Sequence, residues 1–188
     1  MLSIVADYGD PVYVYDGNRM QENYERFVNA FSVKRLKVHY ACKALNNKHV
    51  LKLFRDLGAG LDCVSIQEVQ LGLRAGFAPA DILFTPNNIS EKEYEEAVAA
   101  GVKINVDNIH MLEYFGINHP KLPIYIRINP HLMAGGNQNI SVGHIDSKFG
   151  ISIHQVPNVE RIVKRFNIPV QGIHVHTGSD ILDADIFI

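Results

Sequence analysis

From residue 38 onward, two rhythms of apolar residues alternate along the chain. The first has a period of two. Val38, Tyr40 and Cys42 interleave with His39, Ala41 and Lys43, which predicts a strand. The second has the helical period. Val50, Leu51, Leu53, Phe54 and Leu57 fall on one face of a helix that Asn46 or Asn47 can cap. Strand-like runs begin near Val38, Leu61, Ile82, Lys103, Ile124 and Val170, and the first five are spaced by 23, 21, 21 and 21 residues. Gly58, Gly76 and Gly101 each follow a helical run and precede a strand, where a left-handed C′ glycine belongs. Ser65-Ile66-Gln67-Glu68 and Ser90-Glu91-Lys92-Glu93 have the spacing of capping boxes. Upstream, Pro11 to Asp16 predicts a short aromatic and β-branched strand, ended by Asp16-Gly17-Asn18, and a helix follows from about Arg19 to Phe31.

Strands and helices alternating at this spacing predict βα units around a parallel sheet. The evenness of the units, and the lack of a Gly-rich turn after the first strand, favour a (β/α)8 TIM-barrel type over an open doubly wound sheet. About six units are present, so the expected architecture is an incomplete barrel. Between the fifth and sixth strand runs lie 46 residues, holding one helix (about Pro157 to Phe166) and a loop from Asn129 to Gly150. A loop beyond roughly 12–15 residues is usually functional or disordered. The last residues, Asp183 to Ile188, read as the start of the helix after strand six, and the chain as a fragment expected to be inactive alone.

Composition narrows the function classes. Hydrophobic residues make up 47% and charged residues 20% of 188 residues, with a formal net charge of -2, as in an ordinary globular domain. That charge gives no argument for nucleic acid or an anionic membrane as partner. No apolar run approaches the roughly 20 residues of a membrane span, and the N-terminus does not read as a signal peptide. Two cysteines, Cys42 and Cys63, make no disulfide framework, which points to a reducing cytoplasm.

Candidate chemistry lies at the carboxyl ends of the strands, where parallel α/β folds place it. Lys43 ends the first regular strand, and Asp62 sits between Leu61 and Cys63 in the next. Arg127 faces away from Ile124, Ile126 and Ile128, while His174 and His176 share a face before the turn Thr177-Gly178-Ser179. In a barrel the polar faces point to the axis, so Lys43, Asp62, Arg127 and His176 meet at one mouth. Each has a plainer reading: a solvated lysine, a strand-end carboxylate with a cationic neighbour, and Glu68 as only the N3 member of its capping box. His174 and His176 have the i, i+2 spacing of a strand metal site, but no set of acidic residues or histidines at later strand ends completes one. The Thr177-Gly178-Ser179 turn offers donors suited to a phosphate.

Five stretches, in order, resemble the fold-type III pyridoxal-phosphate decarboxylases. They are Tyr40-Ala41-Cys42-Lys43-Ala44; Gly60-Leu61-Asp62-Cys63-Val64-Ser65 with Glu68; Arg127-Ile128-Asn129-Pro130; Ser147-Lys148-Phe149-Gly150-Ile151; and His174-Val175-His176-Thr177-Gly178-Ser179. The Arg-Ile-Asn-Pro run and the loop Ile140-Ser141-Val142-Gly143-His144 are most similar to the branch acting on meso-diaminopimelate. The resemblance implies that Lys43 is the Schiff-base lysine for pyridoxal 5'-phosphate. It implies that His176 stacks on the pyridine ring, Ser179 holds the phosphate, Arg127 lies beside the ring, and Asp62 and Glu68 complete the polar network; no metal is implied. Lys148 matches a family lysine near the subunit interface. Residues 18–188 would form part of the cofactor-binding barrel. Residues 1–17 would supply a strand that pairs with an all-β domain, which lies with the Gly-rich phosphate loop and the acidic partner of the pyridine nitrogen beyond Ile188. The implied reaction releases carbon dioxide from meso-diaminopimelate and leaves L-lysine, the last step of lysine synthesis, in a cytoplasmic homodimer. Sister decarboxylases of ornithine, arginine or carboxynorspermidine, and non-catalytic pyridoxal-phosphate-binding barrels, remain alternatives. One departure stands out: Ile89 in Thr85-Pro86-Asn87-Asn88-Ile89-Ser90 occupies a position where the family often has lysine.

Overall fold

The computed structural model describes residues 2–132, 147–179, 181 and 185. Seven strands form one parallel sheet: β1 (His39–Ala41), β2 (Gly60–Cys63), β3 (Ile82–Phe84), β4 (Lys103–Val106), β5 (Ile124–Asn129), β6 (Ile151–Ser152) and β7 (Val170–Val175). The first five lie side by side in chain order. β5 then pairs with β6 at its carboxyl end and with β7 along most of its length. Among the described residues seven α-helices accompany them: α1 (Leu2–Tyr8), α2 (Gly17–Asn29), α3 (Lys48–Asp56), α4 (Ile66–Ala75), α5 (Glu91–Ala99), α6 (Ile109–Asn118) and α7 (Val156–Phe166). This is the expected succession of βα units in a partial barrel. No helix among the described residues is long and apolar enough to cross a membrane.

Helix boundaries follow side chains that satisfy orphan backbone donors. Asp16, Asn47, Ser65, Ser90 and Asn108 each accept from an amide of the first turn of α2, α3, α4, α5 and α6. The capping box at Ser90 is complete, with Glu93 reaching back to the Ser90 amide at 3.1 Å. The one expected at Ser65 is only half formed. The Ser65 hydroxyl accepts from the Glu68 amide at 3.3 Å, but the Glu68 carboxylate passes the Ser65 amide and accepts from that of Val64 at 2.8 Å. At the other ends, Gly58, Gly76 and Gly101 take positive φ as their positions required, and Asn167 does the same after α7.

The register sorts each strand into two faces. Ala41 pairs with Asp62, and Asp62 with Leu83; farther along, Asn105 pairs with Tyr125 and Arg127 with His174. The intervening residues Leu61, Cys63, Ile82, Phe84, Ile104, Val106, Ile124, Ile126 and Ile128 are buried under the helices. Tyr94 of α5 packs edge-on between Phe84 of β3 (6.0 Å between ring centres) and Phe115 of α6 (5.4 Å). The outer face of β7 is the exception, with Ile173 70% and Val175 49% exposed.

Two expectations need correction. The Pro11–Asp16 segment pairs with no strand among the described residues, because a β-rich sequence becomes a strand only where a neighbour supplies the ladder. Asp16, read as a strand terminator, is instead the N-cap of α2, which begins at Gly17. The short helix α1 and the two-residue β6 have no counterpart in the sequence reading. The loop stretch 140–144 and most of the segment 183–188 lie outside the described residues.

Where α6 meets α7, the backbones approach so closely that a Cβ on Gly116 would come within 2.7 Å of the Phe166 ring. A ring cannot yield there without moving α7. Gly116→Ala should therefore destabilise the protein by about 1–3 kcal/mol through overpacking, read as a lower denaturant midpoint with an unchanged m-value; an unchanged midpoint would show that α7 shifts freely.

Candidate active site

The inner face of the sheet opens at the carboxyl ends of the strands into a cavity of about 540 Å³. Its lining includes Lys43, Asp62, Thr85, Arg127, His176 and Ser179. Lys43 sits in a 3-10 turn (Cys42–Ala44) that ends β1, with an exposed side chain at the cavity edge. The alternation that buries Leu61 and Cys63 aims Asp62 inward, and the one that buries the β5 isoleucines aims Arg127 inward. His176 and Ser179 follow β7 directly.

Hydrogen bonds fix the floor. The Thr85 hydroxyl donates to Asp62 Oδ1 at 2.6 Å. Asp107 is buried and held by two amides: Asn87 Nδ2 donates at 2.7 Å and Asn108 Nδ2 at 3.0 Å. Asn87 also donates to the Lys148 carbonyl at 3.1 Å, which ties the β3 end to the Ser147–Gly150 segment. There Phe149 lies under the Arg127 guanidinium, 4.7 Å from carbon to ring centre, a cation–π contact.

Arg127 governs the electrostatics. It is buried and forms no ion pair among the described residues. Burial lowers its pKa, against the upward pull of Asp107 and Asp62. Burial raises that of Asp62, partly offset by the Thr85 hydroxyl and then by Lys43, His39 and Arg127. Both cavity histidines are pushed down, first by burial and then by Arg127, and His174 falls to about 4. His174 Nδ1 stands 3.0 Å from Nδ2 of the fully buried Asn105. The contact holds the His174 ring in place, and which partner donates follows the His174 tautomer.

Five of the six expected site residues, Lys43, Asp62, Arg127, His176 and Ser179, thus line one cavity. Glu68 does not. Its bond to the Val64 amide turns the carboxylate toward Cys42 and Cys63 on the outer face of the sheet. Thr85, Asn87, Asn105, Asp107 and Phe149 were not singled out beforehand. Thr85 could have been found from strand period alone, since it lies two residues beyond Leu83, the register partner of Asp62.

A parallel βα sheet with lysine, arginine, histidine and serine converging at its strand ends defines the class of barrel that can hold an aldehyde cofactor with a phosphate tail. The model of the pyridoxal-dependent decarboxylase family, pyridoxal binding domain, matches residues 18–188, and the chain belongs to that family. It is 39% identical over 189 residues to diaminopimelate decarboxylase of Methanothermobacter thermautotrophicus, covering 99% of this chain and 44% of that protein. Among solved structures it resembles diaminopimelate decarboxylase from Helicobacter pylori complexed with L-lysine, with a TM-score of 0.87, 30% identity, and 97% of this chain and 48% of that one covered. It also resembles lysine/ornithine decarboxylase complexed with putrescine from Vibrio vulnificus, with a TM-score of 0.78, 26% identity, and 95% and 45% covered. The chain spans less than half the length of these proteins.

The depressed His174 value has a sign that can be checked. Between pH 6.5 and about 4 the unfolded chain binds a proton that the folded protein refuses. Stability from this group is therefore present above that window and lost as pH falls through it. Denaturant unfolding across the window should show His174→Asn reducing the pH slope by about one proton; an unchanged slope would assign the titration elsewhere.

Proposed function

We propose that this chain is the pyridoxal-phosphate-binding part of a decarboxylase that converts meso-diaminopimelate to L-lysine and carbon dioxide. The observation that carries the reading is the convergence of Lys43, Asp62, Arg127, His176 and Ser179 on one cavity. The residues fit the cofactor chemically: an exposed primary amine, a ring kept uncharged by its lowered pKa, a hydroxyl beside a glycine turn, and a buried guanidinium. Lys43 would hold the cofactor covalently, His176 would lie against its ring, and Ser179 with the turn before it would take the phosphate. Pyridoxal phosphate, when bound, supplies an electron sink for the carbanion left as carbon dioxide departs.

The chain's own residues provide orientation and charge. Asp62, anchored by Thr85, balances the positive charge of Lys43 and Arg127 at the mouth. Burial, and after it the charge of Arg127 braced by Phe149, disfavours protonation of His174 and His176. Asn105 holds the His174 ring through this contact. Glu68 does not line the cavity but accepts from the amide of Val64, which does. The choice of meso-diaminopimelate over ornithine, arginine or carboxynorspermidine, and of an enzyme over a non-catalytic carrier, is supported by the relatives.

The surrounding architecture belongs to the same reading. Residues 1–17 serve an all-β domain, supported by the exposure of Tyr8, Tyr13, Val14 and Tyr15. The complete protein is a cytoplasmic homodimer.

Borohydride reduction of the pyridoxal-phosphate-loaded protein, followed by peptide mapping, should place the label on Lys43; a label on Lys37 or Lys48 would reject the assignment. In the full-length protein, Lys43→Ala should lower carbon dioxide release by about 100-fold or more, the scale on which a positioned proton-transfer group acts. Release from meso-diaminopimelate should exceed that from ornithine, arginine and carboxynorspermidine measured alongside.

The two histidines should differ. His176→Ala should slow decarboxylation more than His174→Ala, and Ser179→Ala should chiefly raise the dissociation constant for pyridoxal phosphate. Equal kinetic losses at both histidines would contradict the placement of His176 against the ring.

A further inference from the structure

Behind the strand end that carries Lys43 lies a second group of reactive side chains. The β1–β2 register ends with Ala41 opposite Asp62; one residue on, Cys42 in the 3-10 turn and Cys63 at the end of β2 lie close together, and neither lines the cavity. Both cysteines are fully buried. They are the only two in the sequence. The third member is Glu68, brought there by its bond to the Val64 amide. One ligand atom from each of Cys42, Cys63 and Glu68 lies within 4.8 Å of the other two.

We propose that Cys42, Cys63 and Glu68 form a binding site for a zinc-like thiophilic dication, with water as the fourth ligand. Zinc with bonds to sulfur of about 2.3 Å holds its tetrahedral sulfurs about 3.8 Å apart. With sulfur and carboxylate oxygen about 3.5 Å apart in the same geometry, the present separations need close by no more than about 1.3 Å. Two sulfurs and one carboxylate select a soft, tetrahedral ion over magnesium or calcium, which prefer oxygen.

Burial raises the pKa of Cys42 to about 11 and pushes that of Cys63 still higher, and Glu68 and Asp62 add to both shifts. Binding converts two thiols to thiolates and releases two protons, so affinity rises with pH. The half-exposed Glu68 gives the ion its way in, and its bond to Val64 holds the carboxylate in orientation. This site lies on the opposite face from the cavity and does not rest on the cofactor reading.

Cobalt(II) titration of the reduced, metal-free 188-residue chain tests it, followed by displacement with zinc. One equivalent should produce thiolate-to-cobalt charge-transfer absorption with tetrahedral d–d bands, both removed by zinc. Because the chain has no other cysteine, Cys42→Ser and Cys63→Ser should each abolish the charge-transfer band. Glu68→Gln keeps an acceptor for the Val64 amide, so it should fold normally while binding cobalt about tenfold or more weakly, at least the loss expected for an outer-shell partner. Absence of the band with wild-type protein, or cobalt affinity unchanged in Glu68→Gln, would overturn the proposal even if the serine variants fail to fold.

Discussion

The structure depends on the two-residue alternation of its strands, locked in register from β1 to β5. A slip of one residue in any of them would exchange the faces. Asp62 or Arg127 would then enter the apolar layer against the helices, and Leu61 or Ile126 would enter the cavity. Burying a charge without a partner costs several kcal/mol, while each buried aliphatic side chain contributes roughly 1.5–3 kcal/mol. The same constraint therefore holds the helices on one face and gathers the functional groups on the other.

That periodicity is why much of the molecule was legible in the sequence. The six strand runs starting near Val38, Leu61, Ile82, Lys103, Ile124 and Val170 each become a strand, and the glycines expected to end helices do so with positive φ. The inward direction of Lys43, Asp62, Arg127 and His176 follows from counting by twos. What escaped depends on contacts distant in sequence. The Asn105–His174 bond joins residues 69 apart, and no local pattern announces it. Asn87 reaches Asp107 and the Lys148 carbonyl in the same way. The N-terminal strand failed for the opposite reason: its local preference was clear, but nothing among the described residues pairs with it. Glu68 shows the limit of motif reading, since the capping-box spacing was right and one residue of reach redirected the side chain.

Charge in the cavity is arranged asymmetrically. Arg127 is buried over an aromatic ring with its carboxylates held elsewhere: Asp62 by Thr85, and Asp107 by two asparagines. An arginine paired tightly with either would be neutralised and would leave the histidines nearer their ordinary values. Kept apart from them, it projects its charge into the cavity, disfavouring imidazolium and favouring an anion.

The central position of β5 also bears on how this protein can vary. Its carboxyl end meets β6 after the intervening stretch 130–150, and both ends of that stretch are pinned by the sheet. Residues 147–150 carry the Lys148 carbonyl that Asn87 reaches and the Phe149 ring under Arg127, so a change of length there would break both contacts, just as a residue added within β2 or β5 would exchange the faces. Between descendants of this sequence, the spacing of Asp62 and Arg127 within their strands, and of Lys148 and Phe149 ahead of β6, should therefore stay fixed.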